Sequence, residues 1–114
     1  MKRGDVVLVA FPFSDRTGSK LRPSLVVQED RFNQKRDDTV MVAISRTQRF
    51  AQTEVLIDIS TPEGHATGLV RDSVVSCLLL VTVYADTVAH VLGALSPTMK
   101  QRLDDCLRTA LALR

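Results

Sequence analysis

Short runs of β-branched and aliphatic residues, set between polar stretches, constrain this chain more than any other feature. Gly4-Asp5 leads into Val6-Val7-Leu8-Val9-Ala10-Phe11, a run of strand length. Pro12 ends it, because proline has no N–H for the ladder. Ser14 to Lys20 is polar, with Gly18 as its turn residue. Arg22-Pro23 opens a second strand, Ser24 to Gln28, with the proline at the entry, where a missing donor is tolerated. Glu29 to Asp38 reads as a connection with room for a helical turn. Thr39 to Ser45 makes a third strand and Glu54 to Ile59 a fourth, with the polar Arg46-Thr47-Gln48-Arg49 after the third. Thr61 to Gly68 is rich in turn formers and reads as a loop. Ser73 to Val83 is the longest apolar segment and fits either one buried strand or two strands with a bend. Val88 to Leu95 fits a short strand or a short helix equally well.

The end of the chain has another period. Met99, Leu103, Cys106, Leu107, Ala110 and Leu111 fall on one stripe of a helix of about four turns. Ser96 is its N-cap and Pro97 suits the first helical position. Arg108 and Arg114 favour the negative end of the helix dipole. Strands first and a helix last imply a mainly β fold with a C-terminal α-helix, an antiparallel sheet curled into a small barrel. The 114 residues make one domain, 1–114, with no linker or repeat.

Composition excludes several classes. Hydrophobic residues at 45% and charged residues at 25% suit a packed core, not a disordered chain or a coiled coil. No apolar run approaches the roughly 18 residues of a membrane span. The opening lacks a signal core, since Asp5 and Pro12 interrupt it, which implies a cytoplasmic protein. Cys77 and Cys106 are too few for a disulfide framework, lack metal-ligand spacing and read as reduced core thiols. His65 reads as a loop residue and His90 as a core or edge residue, so no metal and no cofactor is expected. Residues 1–50 carry ten Lys/Arg against six Asp/Glu, whereas residues 51–114 carry five against seven. The basic first half points to a polyanionic partner.

Walker, dinucleotide-binding and serine-elbow motifs are absent. Two residues at strand boundaries stand out instead. Arg22 lies where a polar loop enters the second strand, and Ser45 where the third strand ends. A guanidinium suits a phosphodiester because its planar fork binds two oxygens and keeps its charge. It can also stabilise a pentavalent phosphorane, and a neighbouring hydroxyl can donate to the same phosphate.

The blocks Gly4-Asp5-Val6-Val7-Leu8-Val9-Ala10-Phe11-Pro12-Phe13-Ser14 and Lys20-Leu21-Arg22-Pro23-Ser24-Leu25-Val26-Val27 resemble the opening of the MazF/PemK toxin family. Val42-Ala43-Ile44-Ser45, Gly68-Leu69-Val70-Arg71-Asp72-Ser73-Val74-Val75 and Leu92-Gly93-Ala94-Leu95-Ser96 follow in the family's order. The resemblance implies a small SH3-like β-barrel with a C-terminal helix, working as a homodimer. It implies the toxin of a type II toxin–antitoxin module, a metal-independent endoribonuclease that cleaves single-stranded RNA to 2′,3′-cyclic phosphate and 5′-hydroxyl ends. The family's catalytic arginine maps onto Arg22 and its catalytic Thr/Ser onto Ser45. Asp15, Ser19 and Lys20 in the first loop, with Arg46, Thr47 and Gln48 after the third strand, become expected RNA contacts. The implied protein partner is a cognate antitoxin, acidic and partly disordered.

One segment departs from the family. Some members carry Arg-Cys-Asp-Gln-x-Arg-Thr after the D-S-V-V block, and this chain has Ser76-Cys77-Leu78-Leu79-Leu80-Val81-Thr82. Leucines cannot transfer protons. Either catalysis rests on Arg22 and Ser45 alone, or the chain is a weak or inactive member of the fold acting on a protein target, as the related gyrase poisons do.

Overall fold

The computed structural model describes residues 1–10 and 21–114. Six strands and three α-helices follow one another along them. They are β1 (Asp5–Ala10), β2 (Leu21–Val26), α1 (Asp30–Lys35), β3 (Asp38–Ser45), β4 (Glu54–Ile57), α2 (Pro62–His65), β5 (Ser73–Tyr84), β6 (Val88–Ala94) and α3 (Pro97–Leu111). Short 3-10 turns precede β4 and β6. Among the described residues no helix is long and apolar enough to cross a membrane.

All six strands join one sheet in the order β4-β5-β3-β2-β1-β6, and every pairing is antiparallel. The sheet curls into a half-barrel, with β4 and β6 as its edges. Register shifts in the β1–β6 and β3–β5 ladders supply local bends, as bulges do. Successive side chains of a strand point to opposite faces. Val6, Leu25, Val42 and Val75 accordingly enter one core with Met99 and Leu103 of α3, while Val7, Val9, Val26, Met41 and Val83 form a second cluster. A sheet buried on both faces needs apolar residues at consecutive positions. That is why the strands read as continuous runs rather than as alternations.

The C-terminal helix forms where its spacing places it. The Ser96 hydroxyl oxygen accepts from the Met99 amide at 3.2 Å, which satisfies one of the amides that a helix start leaves unpaired. Met99 and Leu103 are buried, and Cys106, Leu107 and Ala110 pack beside them. Leu111 departs from the expected stripe, because it is 46% exposed where Ala112 turns left-handed at φ 56° and ends the helix. At the other end of the chain, Arg3 donates to the Val27 carbonyl at 2.9 Å and to Asp104 at 2.8 Å, fastening the first residues to α3.

One open alternative resolves, and three expectations are revised. Val88–Ala94 is a strand, β6, on the sheet edge. The loop from Thr61 contains the single turn α2, capped by the Thr61 hydroxyl oxygen accepting from the Gly64 amide at 3.0 Å. The fourth strand stops at Ile57, because Asp58 begins the turn into α2: the Asp58 carbonyl accepts from the Thr61 amide at 3.1 Å. The longest apolar segment is one strand, but it is not buried throughout. Ser76 pairs with Ala43 and Leu80 with Val42, so Cys77, Leu78 and Leu79 stand as extra residues between them. The bulge turns Cys77 inward and leaves Leu78 and Leu79 about half exposed.

Candidate active site

β2 and β3 pair through Ser24↔Ala43, Leu25↔Val42 and Val26↔Met41. That register, continued past Ser24, sets Arg22 opposite Ser45. Ladder pairing stops before that point, and a cleft of about 620 Å³ opens there. Pockets of roughly 300–1,000 Å³ hold small organic ligands. Leu8, Pro23, Ile44, Leu69 and Leu92 give the cleft an apolar lining, and Ile44, Leu69 and Leu92 continue into the core packed against α3. Arg22, Ser45, Arg46, Arg71 and Ser73 supply the polar lining.

Two anchored loops hold that lining in place. The segment after β3 is fixed by Glu54, whose buried carboxylate accepts from the Arg49 amide at 3.1 Å and the Phe50 amide at 3.0 Å. Thr53 reinforces it by donating to the Phe50 carbonyl at 2.9 Å. Within the segment, the Ser45 hydroxyl donates weakly to the Thr47 carbonyl at 3.4 Å, a bond that an incoming acceptor can replace. The second loop carries Arg71 and is tied at three points. Asp72 accepts from the Ile59 amide at 3.0 Å, the Ser73 hydroxyl donates to the Arg71 carbonyl at 2.9 Å, and the Gly68 amide donates to the His65 carbonyl at 3.1 Å. Gly68 itself sits at φ +75°, against the Leu92 carbonyl of β6, where only glycine fits without strain.

The charge is one-sided. Three arginines and no carboxylate line the cleft among the described residues. The four ion pairs among the described residues, Arg3–Asp104, Arg31–Glu29, Arg36–Asp38 and Arg108–Asp105, use none of these arginines. Like charges converging on a cleft with low-dielectric walls attract an anion into it. No three His, Cys, Asp or Glu side chains stand together to hold a metal ion among the described residues.

The residues singled out from the sequence fall into three groups. Arg22, Ser45 and Arg46 line one cleft. Thr47 and Gln48 are exposed on the adjoining segment but do not line it. Asp15, Ser19 and Lys20 lie outside the described residues. His65 and His90 are both exposed and lie away from the cleft. Cys77 is buried and Cys106 half-buried, both as free thiols. Leu78, Leu79 and Leu80, in place of the family's charged stretch, also stand apart from the cleft. Sequence reading missed Arg71 as a site residue. Its one signal was a cation at a turn just before a strand.

A half-barrel of antiparallel strands with a C-terminal helix, and a cationic cleft at the ends of its second and third strands, define a small mainly β domain with one arginine-lined cleft. The profile of the PemK-like, MazF-like toxins of type II toxin–antitoxin systems matches residues 2–111, and the chain belongs to that family. Among solved structures it is similar to a mycobacterial endoribonuclease in complex with its cognate antitoxin, at 24% identity and a TM-score of 0.81, covering 100% of this chain and 97% of that one. It is also similar to the Mycobacterium tuberculosis toxin MazF-mt6, at 22% identity and a TM-score of 0.79 over 96% and 98% of the two chains. A MazE–MazF structure from Deinococcus radiodurans shares 15% identity, with a TM-score of 0.77 over 100% and 98%. These likenesses establish the fold. A search of curated proteins finds no match.

Proposed function

We propose that this protein is the endoribonuclease toxin of a type II toxin–antitoxin module and that it cleaves single-stranded RNA without a metal. The observation that carries the reading is the presence of Arg22 and Ser45 in one cationic cleft that no carboxylate lines among the described residues. A phosphodiester meets there an arginine fork for its non-bridging oxygens and a hydroxyl donor beside it. The ribose 2′-oxygen forms a bond to phosphorus while the bond to the 5′-oxygen breaks. The 2′-proton passes to solvent and the 5′-oxygen takes one up, leaving a 2′,3′-cyclic phosphate and a 5′-hydroxyl. Arg22 is a poor base, because guanidinium stays protonated. Its role is to neutralise the phosphorane, and Ser45 holds the phosphate in line.

Arg46 extends the phosphate contacts, and Thr47 and Gln48 on the adjoining exposed segment offer groups for reading bases. Asp15, Ser19 and Lys20 join them from the first loop. The apolar lining suits a base taken out of its stack. The whole chain acts as one domain and works in the cytoplasm as a homodimer. Antitoxin complexes among structurally similar proteins support a cognate antitoxin as the regulatory partner.

The exposed leucines of the β5 bulge favour a second reading, in which the chain arrests growth by binding a protein target. Induced expression separates the two. The ribonuclease reading predicts growth arrest with RNA fragments that end in cyclic phosphate, and relief of both by Arg22→Ala. Arrest with intact RNA would support the second reading.

A further inference from the structure

Ser45 lies between two cations in the order of the sheet. β3, which carries it, sits between β2, which carries Arg22, and β5, which Arg71 leads into. Ser45 pairs directly with Val74 of β5. Neighbouring strands are spaced by about 4.8 Å, so β2 and β5 stand roughly 10 Å apart across Ser45. Arg22 thus reaches the cleft from β2 and Arg71 from the loop that leads into β5. The Arg71 backbone is held by its neighbours, through its own carbonyl and through Asp72, while its side chain is exposed. A fixed backbone, with a guanidinium that pairs with no carboxylate among the described residues, makes a preorganised anion contact, since little loop entropy is lost when the anion arrives.

We propose that Arg71 grips the phosphate next to the scissile one, so that the cleft holds two successive phosphates of a single strand. The inference rests on the ribonuclease reading and adds to it a binding residue outside the Arg22–Ser45 pair. Arg71 contributes affinity through charge and leaves the chemical step unchanged. A single-strand phosphate contact contributes about 0.7 to the slope of log K against log salt. Removing one contact therefore lowers the slope by about 0.7. Between 50 and 200 mM salt, that is about 2.6-fold less loss of affinity.

The test uses the full chain and a labelled RNA that spans the mapped cut and has every 2′-hydroxyl methylated. Its binding is titrated at several salt concentrations for wild type, Arg71→Ala, Arg71→Gln and Arg71→Lys, and kcat and KM are measured on the unmodified RNA. The expected result is a slope lowered by about 0.7 in the Ala and Gln variants, with KM raised and kcat kept, and a slope restored by Lys. An unchanged slope in Ala and Gln overturns the proposal. A fall in kcat with unchanged KM overturns it as well, by placing Arg71 on the scissile phosphate. If wild type neither binds nor cuts RNA, the ribonuclease reading itself fails, which is a separate outcome from an active wild type with an indifferent Arg71.

Discussion

Gly68→Ala tests how the Arg71 loop is held against the sheet. Two costs add at this position. Alanine at φ +75° must occupy the left-handed region, at a cost of about 1 kcal/mol. Its Cβ would also overlap the Leu92 carbonyl oxygen, a backbone atom of β6. Leu92 is the extra residue of a bulge held between the paired Val91 and Gly93, so its carbonyl can move only if those neighbours shift. Overpacking of this kind costs about 1–3 kcal/mol. The sum, roughly 3 kcal/mol, is a large share of the 5–15 kcal/mol that holds a typical domain together. Gly4→Ala is the internal comparison. Gly4 has φ +93°, but its Cβ would meet only the end of the Lys100 side chain, which can swing away. It should lose about 1 kcal/mol. Urea melts read both. The expected midpoint is lower by about 2 M for Gly68→Ala, and by about 0.7 M for Gly4→Ala. Equal midpoints for the two variants would refute the argument that β6 backbone, rather than φ alone, makes glycine necessary at position 68.

Further outcomes follow from other parts of the structure. Ser96→Ala removes the cap on the Met99 amide and the hydroxyl bonded to Glu63, and should cost about 1 kcal/mol in thermal melts. Leu103→Ala empties a fully buried position under α3 and should cost about 2–5 kcal/mol, read the same way. Leu79→Glu sits on the exposed bulge and should leave stability within about 0.5 kcal/mol of wild type. Burial, reinforced by Cys106, pushes the Cys77 thiol up to about 12 from its ordinary 9.0. The folded protein thus keeps that proton where the unfolded chain would lose it. The neutral thiol's contribution to stability is complete below pH 9.0 and fades as pH rises towards about 12. At pH 8 a thiol-specific disulfide reagent should reach Cys77 only in denaturant, and rapid labelling of Cys77 in a folded Cys106→Ala variant would contradict its burial.

Local features were legible in the sequence, and features made by distant pairing were not. The Ser96-Pro97 start and the stripe from Met99 to Ala110 are written within one helix, so they could be read directly. Leu111 falls on the same stripe, but its exposure depends on a left-handed residue that the apolar period does not encode. β6 resisted assignment because it is an edge strand whose residues are mostly exposed or half-buried, which leaves no clean alternation. In β5, the leucines look like core by composition, and only the register against β3 reveals that Cys77 to Leu79 are extra residues. Arg22 and Ser45 stood at the ends of recognisable strands, but it was the resemblance to the MazF/PemK family that singled them out, and the β2–β3 register then brings those ends together. Arg71 reaches the same cleft from a loop set by α2, Gly68 and β6, a long-range arrangement that its neighbours in sequence do not announce.

We propose above that Arg22 and Ser45 form a phosphodiester-cleaving site that works without a metal. Single-turnover cleavage of a long single-stranded RNA in EDTA tests it most directly, using purified wild type, Arg22→Ala and Ser45→Ala with matched circular dichroism spectra. The expected result is cuts by wild type that end in 2′,3′-cyclic phosphate, none by Arg22→Ala, and much slower cutting by Ser45→Ala. Equal cutting by wild type and Arg22→Ala, or no cutting by folded wild type freed of antitoxin, would contradict it.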